Sequence, residues 1–206
     1  MKDAINFLLA GVGGQGTILA SDVLVNVGVA AGYQAKQAEV HGMSQRGGSV
    51  TSHVRWGRQV VYSPLVGAGE VDVLLAFEKA EALRALNQLR PGALALVNMA
   101  AIEPLTVTSG GQSYPTDETL RQAFARATPH VEYLDGEAIA ESLGNVRVAN
   151  VVLLGALSAL LEREQHAGPE LSAEAWLEVI TERVPPRHVE LNRQAFQAGR
   201  AALAKK

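Results

Sequence analysis

Ile5-Asn6-Phe7-Leu8-Leu9-Ala10-Gly11-Val12-Gly13-Gly14-Gln15-Gly16-Thr17 decides the fold. The apolar run that ends in glycines has the pattern of a buried strand. Beyond the turn, Leu19, Val23, Val27 and Ala31 place one apolar stripe on a helix from about Gln15 to Ala31. Gly11, Gly13 and Gly16 spell G-x-G-x-x-G between strand and helix, with Gly14 inside it. Glycine permits positive φ and close backbone approach, and a helix start offers unpaired N–H donors to an anion. A phosphate or carboxylate is one occupant, with Thr17 adding a hydroxyl. The other reading is a tight turn that serves helix–sheet packing or the docking of another subunit.

Outward from the turn, Gly32 stops the helix and Tyr33–Val40 reads as a second strand. His41–Gly48 is polar and glycine-rich, hence a loop. Ser49–Trp56 alternates Val50, Ser52, Val54, Trp56 against Thr51, His53, Arg55, a half-buried strand by its period of two. Gly57-Arg58 suggests a hairpin turn into a strand at Gln59–Tyr62. Val71–Phe77 is a further buried strand, followed by a helix Lys79–Leu89 with Pro91-Gly92 as its stop and a strand Ala93–Val97. Thr106–Pro115 reads as surface loop, Thr116–Ala127 as a helix capped by Thr116, and His130–Leu134 as a last strand. From Val146 the chain is helical: a buried helix to about Glu164, a break at Gly168-Pro169, a helix Ser172–Arg183 with Ser172 as its capping signal, and a final helix opened by Pro185-Pro186. The order predicts an α/β, Rossmann-like fold, a mostly parallel sheet flanked by helices with a helical C-terminal segment. Residues 1–206 are expected to form a single domain, an α/β core over 1–145 and C-terminal helices over 146–206.

Composition narrows the chemistry. The chain has no cysteine, which excludes a thiolate nucleophile, a Cys-ligated zinc and an iron–sulfur cluster held by cysteines of this chain. Eighteen basic against 21 acidic residues, a net of −3, leave no basic footprint for nucleic acid. The longest apolar run, Ala149–Leu161, is interrupted by Asn150, Gly155 and Ser158. It is shorter than the roughly 18 residues of a membrane span. A cytoplasmic protein that binds neither nucleic acid nor membrane is expected. No metal site and no catalytic set of side chains stands out.

Read as a dinucleotide site, the turn needs an acid about 20 residues on to hold a ribose, and Glu39 lies near that place. That reading makes the chain a free-standing NAD(P)-binding Rossmann-type module or enzyme. A second segment points elsewhere. His41-Gly42-Met43-Ser44-Gln45-Arg46-Gly47-Gly48, followed by Ser49-Val50-Thr51-Ser52-His53-Val54-Arg55, stands beside the Gly-Val-Gly-Gly-Gln-Gly turn. Tyr62-Ser63-Pro64, Asp72–Glu78, Asn150–Gly155, Val184-Pro185, Glu190, Asn192, Ala195-Phe196 and Gly199 continue in order. Together they resemble the gamma-type domain of the pyruvate/2-oxoacid:ferredoxin oxidoreductase family, over nearly the whole chain. The His-Gly-Met-Ser-Gln-Arg-Gly-Gly segment is most similar to the beta (small) subunit of indolepyruvate ferredoxin oxidoreductases.

The resemblance implies an enzyme that oxidatively decarboxylates an aryl 2-oxoacid to an acyl-coenzyme A. The complex is expected to use thiamine diphosphate, Mg2+, [4Fe-4S] clusters and coenzyme A, passing electrons to ferredoxin. None of these cofactors is expected on this chain alone, which also lacks the Gly-Asp-Gly…Asn signature of thiamine diphosphate binding. They fall to a larger catalytic partner subunit, and this chain is expected to be inactive by itself. Gly11, Gly13, Gly14, Gly16, Thr17, Arg46, Gly47 and Gly48 are its candidate residues for phosphate, coenzyme A or interface contacts. Arg46 is open to two roles, clamping a carboxylate or phosphate and pairing with an acid within or between subunits. His41 is read as ordering its loop, His53 as a half-exposed strand residue, and Asn150 as a cap or a bond to a neighbouring loop. Glu190 and Asn192 are read as subunit contacts, Trp56 and Trp176 as core or interface anchors.

Overall fold

A computed structural model describes residues 4–42, 47–103, 113–164 and 171–204. Among the described residues six strands form one sheet: β1 (Ala4–Val12), β2 (Gln34–His41), β3 (Ser49–Gly57), β4 (Val71–Ala76), β5 (Leu89–Asn98) and β6 (Val131–Leu134). Their order is β2-β3-β1-β4-β5-β6. β1, β4, β5 and β6 run parallel, whereas β3 is antiparallel to both its neighbours, β1 and β2. Seven α-helices are described: α1 (Thr17–Ala30), α2 (Lys79–Arg84), α3 (Asp117–Ala127), α4 (Gly136–Ser142), α5 (Ala149–Arg163), α6 (Ala173–Arg183) and α7 (Val189–Ala204).

Two cores follow from the alternation of side chains along β1. Ile5, Phe7 and Leu9 point to one face, where Val23, Leu24 and Val27 of α1 and Leu153, Leu157, Trp176 and Phe196 of the C-terminal helices pack. Leu8 and Ala10 point to the other, against Ala82 and Ala85 near α2 and Leu120 and Phe124 of α3. With both faces covered, β1 and β4 need continuous apolar runs, and six of six β4 residues are buried. In β3, Val50, Ser52, Val54 and Trp56 are buried and Thr51, His53 and Arg55 only half-buried, so its alternation is kept.

Both tryptophans are core residues. Trp56 stacks on Tyr33 with centroids 5.5 Å apart, donates to the Leu24 carbonyl at 3.1 Å, and lies against Gly28. Trp176 stacks on Phe196 at 6.2 Å. Asn192 is buried within this chain and donates to the His188 carbonyl at 2.7 Å, so it is an internal tie rather than a subunit contact. The two predicted caps are present, with Thr116 accepting from the Thr119 N–H and Ser172 from that of Ala175.

Several expectations are corrected. Gln59–Tyr62 is not a strand and Gly57-Arg58 is not its hairpin turn. β3 has no free edge to offer, since Gly57 is already matched with Ala4 on one side and Gln34 on the other. Residues after Gly57 instead form an irregular strap, held by Arg55 donating to the Ser63 and Leu65 carbonyls at 3.3 Å each. The helix expected over Lys79–Leu89 ends at Arg84, with a 3₁₀ turn at Leu86–Gln88. Pro91-Gly92 lies inside β5 rather than stopping a helix, because a register shift between Val71 and Val73 takes the extra residues into a bulge. The helix expected from Gln15 begins at Thr17. Helix α4 had no sequence expectation. Most of the Thr106–Pro115 loop and the Gly168-Pro169 break lie outside the described residues.

Candidate functional site

The sheet reverses its winding between β1 and β4, and ligands of open α/β sheets sit at the carboxyl ends of strands at such a point. The turn Gly11–Gly16 lies there, and each position has its own physical reason. A Cβ on Gly11 would lie 2.9 Å from Thr17 Cγ2 and 3.0 Å from Phe77 Cβ. Gly14 has φ +106° and faces open space. Gly16 has φ +78°, and a Cβ there would lie 2.5 Å from the Asn150 amide nitrogen.

Much of the turn's hydrogen-bonding capacity is used internally. The Val12 N–H donates to Gln15 Oε1 at 2.8 Å, and the Gln15 N–H to the Val12 carbonyl at 3.2 Å. The Gly13 N–H donates to the Gly48 carbonyl at 2.9 Å. The two glycine-rich segments named from sequence therefore meet, through Gly13 and Gly48. Helix α1 has neither a side-chain cap nor an acid in its first turn. Among the described residues the Gly14 N–H and the first-turn N–H groups of Thr17–Leu19 have no bonding partner.

The crevice between β1 and β4 is bridged by amides. Gln15 Nε2 donates to the Phe77 carbonyl at 2.9 Å, and Asn98 Nδ2 donates to the same oxygen at 3.0 Å. Asn98 Oδ1 accepts the Gly136 N–H at 2.9 Å, which fixes the start of α4 over the end of β5. Beside this bridge lies a cavity of about 360 Å3, bordered by Gly14, Gly16, Asn98, Glu137, Arg147 and Asn150. On the other side of the turn a cleft of about 490 Å3 is bordered by Gly13, Thr17, Ile18, Glu39, His41 and Val50.

Thr17 is buried, its methyl under Gly11. Asn150 donates to the Gly16 carbonyl at 3.5 Å and accepts the Val151 N–H at 3.0 Å, a bond to a neighbouring loop. Glu39 borders the outer cleft but sits on β2, paired with Ser52 of β3. The intervening strand moves it about 4.8 Å further from β1 than the second strand of an ordinary dinucleotide fold. His41 is exposed at the end of β2, with Nδ1 3.2 Å from the Gly42 carbonyl. His53 is away from the turn, where its Nδ1 accepts the Val66 N–H at 3.2 Å and burial pushes its pKa down. Arg46 lies outside the described residues.

Gln15, Asn98, Glu137 and Arg147 were not singled out from sequence. Asn98 carried a signal, a lone amide ending the apolar run Ala93–Val97. Glu137 has a pKa raised by burial and by the nearby Asp135 and Glu141 charges, while Arg147 is exposed beside it. Among the described residues no group of three or more His, Asp or Glu could hold a metal ion, and no helix is long and apolar enough to cross a membrane.

Comparison with known proteins agrees with this architecture. Residues 6–202 match the family described as pyruvate ferredoxin/flavodoxin oxidoreductase. The chain is 42% identical over 195 residues to the indolepyruvate oxidoreductase subunit IorB of Thermococcus kodakarensis, covering 94% of this chain and 93% of that one. It is 31% identical over 199 residues to the 2-oxoglutarate synthase subunit KorC of Methanothermobacter marburgensis, covering 95% and 94% of the two chains. The gamma subunit of a keto/oxoacid ferredoxin oxidoreductase from Geobacter sulfurreducens superposes with a TM-score of 0.69 at 28% identity, covering 97% of this chain and 99% of that one. Sequence, fold and the joined glycine segments converge, and the chain belongs to the pyruvate ferredoxin/flavodoxin oxidoreductase family, among its small gamma-type subunits.

Proposed function

We propose that this chain is the cluster-free, thiamine-free subunit of a 2-oxoacid:ferredoxin oxidoreductase that acts on indolepyruvate or a similar aryl 2-oxoacid. One pairing of observations carries the reading: 42% identity to an indolepyruvate oxidoreductase subunit in a chain without cysteine. An iron–sulfur cluster of the ferredoxin type needs cysteine sulfur, and the metal-bridged diphosphate of thiamine needs clustered oxygen ligands. The chain has no cysteine for a cluster, and among the described residues no group of three or more His, Asp or Glu could hold the metal ion. Thiamine diphosphate with Mg2+, the [4Fe-4S] clusters and the electron path to ferredoxin are therefore assigned to a larger catalytic subunit. We place the assembly in the cytoplasm and treat residues 1–206 as one gamma-type domain.

For this chain's own residues the reading is narrower. Gly14 and the first turn of α1, including Thr17, would hold an anion such as a phosphate of coenzyme A, with Gly11, Gly13 and Gly16 framing the turn. Coenzyme A supplies the thiol that accepts the acyl group. Gly47 and Gly48 serve the junction with the turn, and Arg46 is proposed as a cation for the same anion or for the partner subunit. The nicotinamide-dinucleotide reading has weaker support, because Gln15 and Asn98 bridge the crevice and Glu39 is displaced by β3.

Affinity purification of the tagged chain from its native lysate tests the proposal. A larger chain with thiamine diphosphate and iron–sulfur absorption should co-purify. Recovery of the chain alone with bound NAD(H) or NADP(H) would overturn it.

A further inference from the structure

We infer that Glu81 is a positioning residue, which acts through Ser49 to hold the exit of the His41–Gly48 segment against the glycine turn. Ser49 directly follows Gly48, whose carbonyl receives the Gly13 N–H at 2.9 Å. Ser49 is also matched with Val12 in the β1–β3 register, and its carbonyl accepts the Gly42 N–H at 3.4 Å. Entry, exit and glycine turn thus converge on one residue. Its hydroxyl donates to Glu81 Oε2 at 2.6 Å, and the other carboxylate oxygen pairs with Arg84.

The placing of that carboxylate is the informative part. Glu81 is 3% exposed, on the six-residue helix α2 that follows β4 across the switch point. Removing a carboxylate from water is costly unless its oxygens are bonded, and α2 would keep its helix propensity with alanine there. Among the described residues its side-chain partners are Ser49 and Arg84, and of these two Ser49 lies on another element. A bond with an ionised acceptor is about twice as strong as a neutral one, so it suits a fixed point beside a turn rich in glycine. The inference rests on the proposed function to the extent that the turn serves the assembled enzyme.

The test uses the assembled complex carrying Ser49→Ala, Ser49→Thr or Glu81→Gln. Amide exchange at Gly13, whose N–H donates to the Gly48 carbonyl, referenced to β4, reads the hold directly. Steady-state kinetics read its use. Ser49→Ala should speed Gly13 exchange about tenfold and raise the apparent KM for coenzyme A by a similar factor, with kcat within about twofold. Ser49→Thr should restore both, and Glu81→Gln should fall between. Wild-type exchange in Ser49→Ala and in Glu81→Gln overturns the inference. So does a joint fall of kcat and kcat/KM that Ser49→Thr does not repair. If the wild-type complex turns over no 2-oxoacid, the functional reading fails, while the exchange arm still decides whether Glu81 holds the segment.

Discussion

The glycine turn at the β1–α1 junction and the crossing of α5 with α7 both depend on glycine, for opposite reasons. At the crossing the missing side chains are replaced by backbone. A Cβ on Gly199 would lie 1.9 Å from the Val152 carbonyl oxygen, and one on Gly155 would lie 2.0 Å from that of Phe196. At the turn, Gly14 has open space around it and needs glycine for its φ of +106°. Gly16 combines the two, a positive φ and a close Asn150 amide. The lesson is that a G-x-G-x-x-G string mixes packing glycines with conformational ones. In this turn Gly14 faces open space, and its N–H has no bonding partner among the described residues.

Alanine at each position grades the comparison. Gly199→Ala should be the most damaging, because two packed backbones must separate. A loss of about 3 kcal/mol or more is expected in chemical denaturation, with Gly155→Ala similar. An effect below about 1 kcal/mol would mean that the helices are not in backbone contact. Gly16→Ala should cost about 2 kcal/mol, part strain and part displacement of Asn150. In a double-mutant cycle Asn150→Ala should recover the packing share and leave the strain. Gly14→Ala should cost only about 1 kcal/mol, from strain alone. In the assembled enzyme it should nonetheless weaken coenzyme A more than Gly155→Ala does in any fraction that folds.

The smallest effect is a pH dependence. Burial depresses the His53 pKa below 6.5, and its Nδ1 must stay unprotonated to accept the Val66 N–H. The unfolded state then binds more protons than the folded one as pH falls from 6.5 toward the folded value. Stability should decline across that window and level off below it. Comparing urea midpoints of wild type and His53→Gln between pH 7.5 and 5 checks this. Parallel curves would remove His53 as the fastening of the strap after β3.

Elements with a local cause were legible in the sequence. The β1–turn–α1 unit, the alternation of β3 and the caps Thr116 and Ser172 each follow from a few neighbouring residues. The insertion of β3 between β1 and β2 was not legible, because strand neighbours are chosen by long-range pairing and period two says nothing of which edge is taken. That one fact removed the Gln59–Tyr62 strand and displaced Glu39 from the turn. At the site, the glycines and Thr17 could be named from their motif. Gln15 could not be given its bridge to Phe77, nor Gly13 its bond to Gly48, since each partner is more than 30 residues away in sequence. Buried Glu81 looked like any acidic residue on a helix.

The most direct test of the account is 2-oxoacid turnover by the purified chain with and without its larger partner, using indolepyruvate, coenzyme A and ferredoxin under anaerobic conditions. This chain alone should reduce no ferredoxin, and mixing the two subunits should give activity. Ferredoxin reduction by the isolated chain, or full activity of the larger subunit without it, would contradict the account.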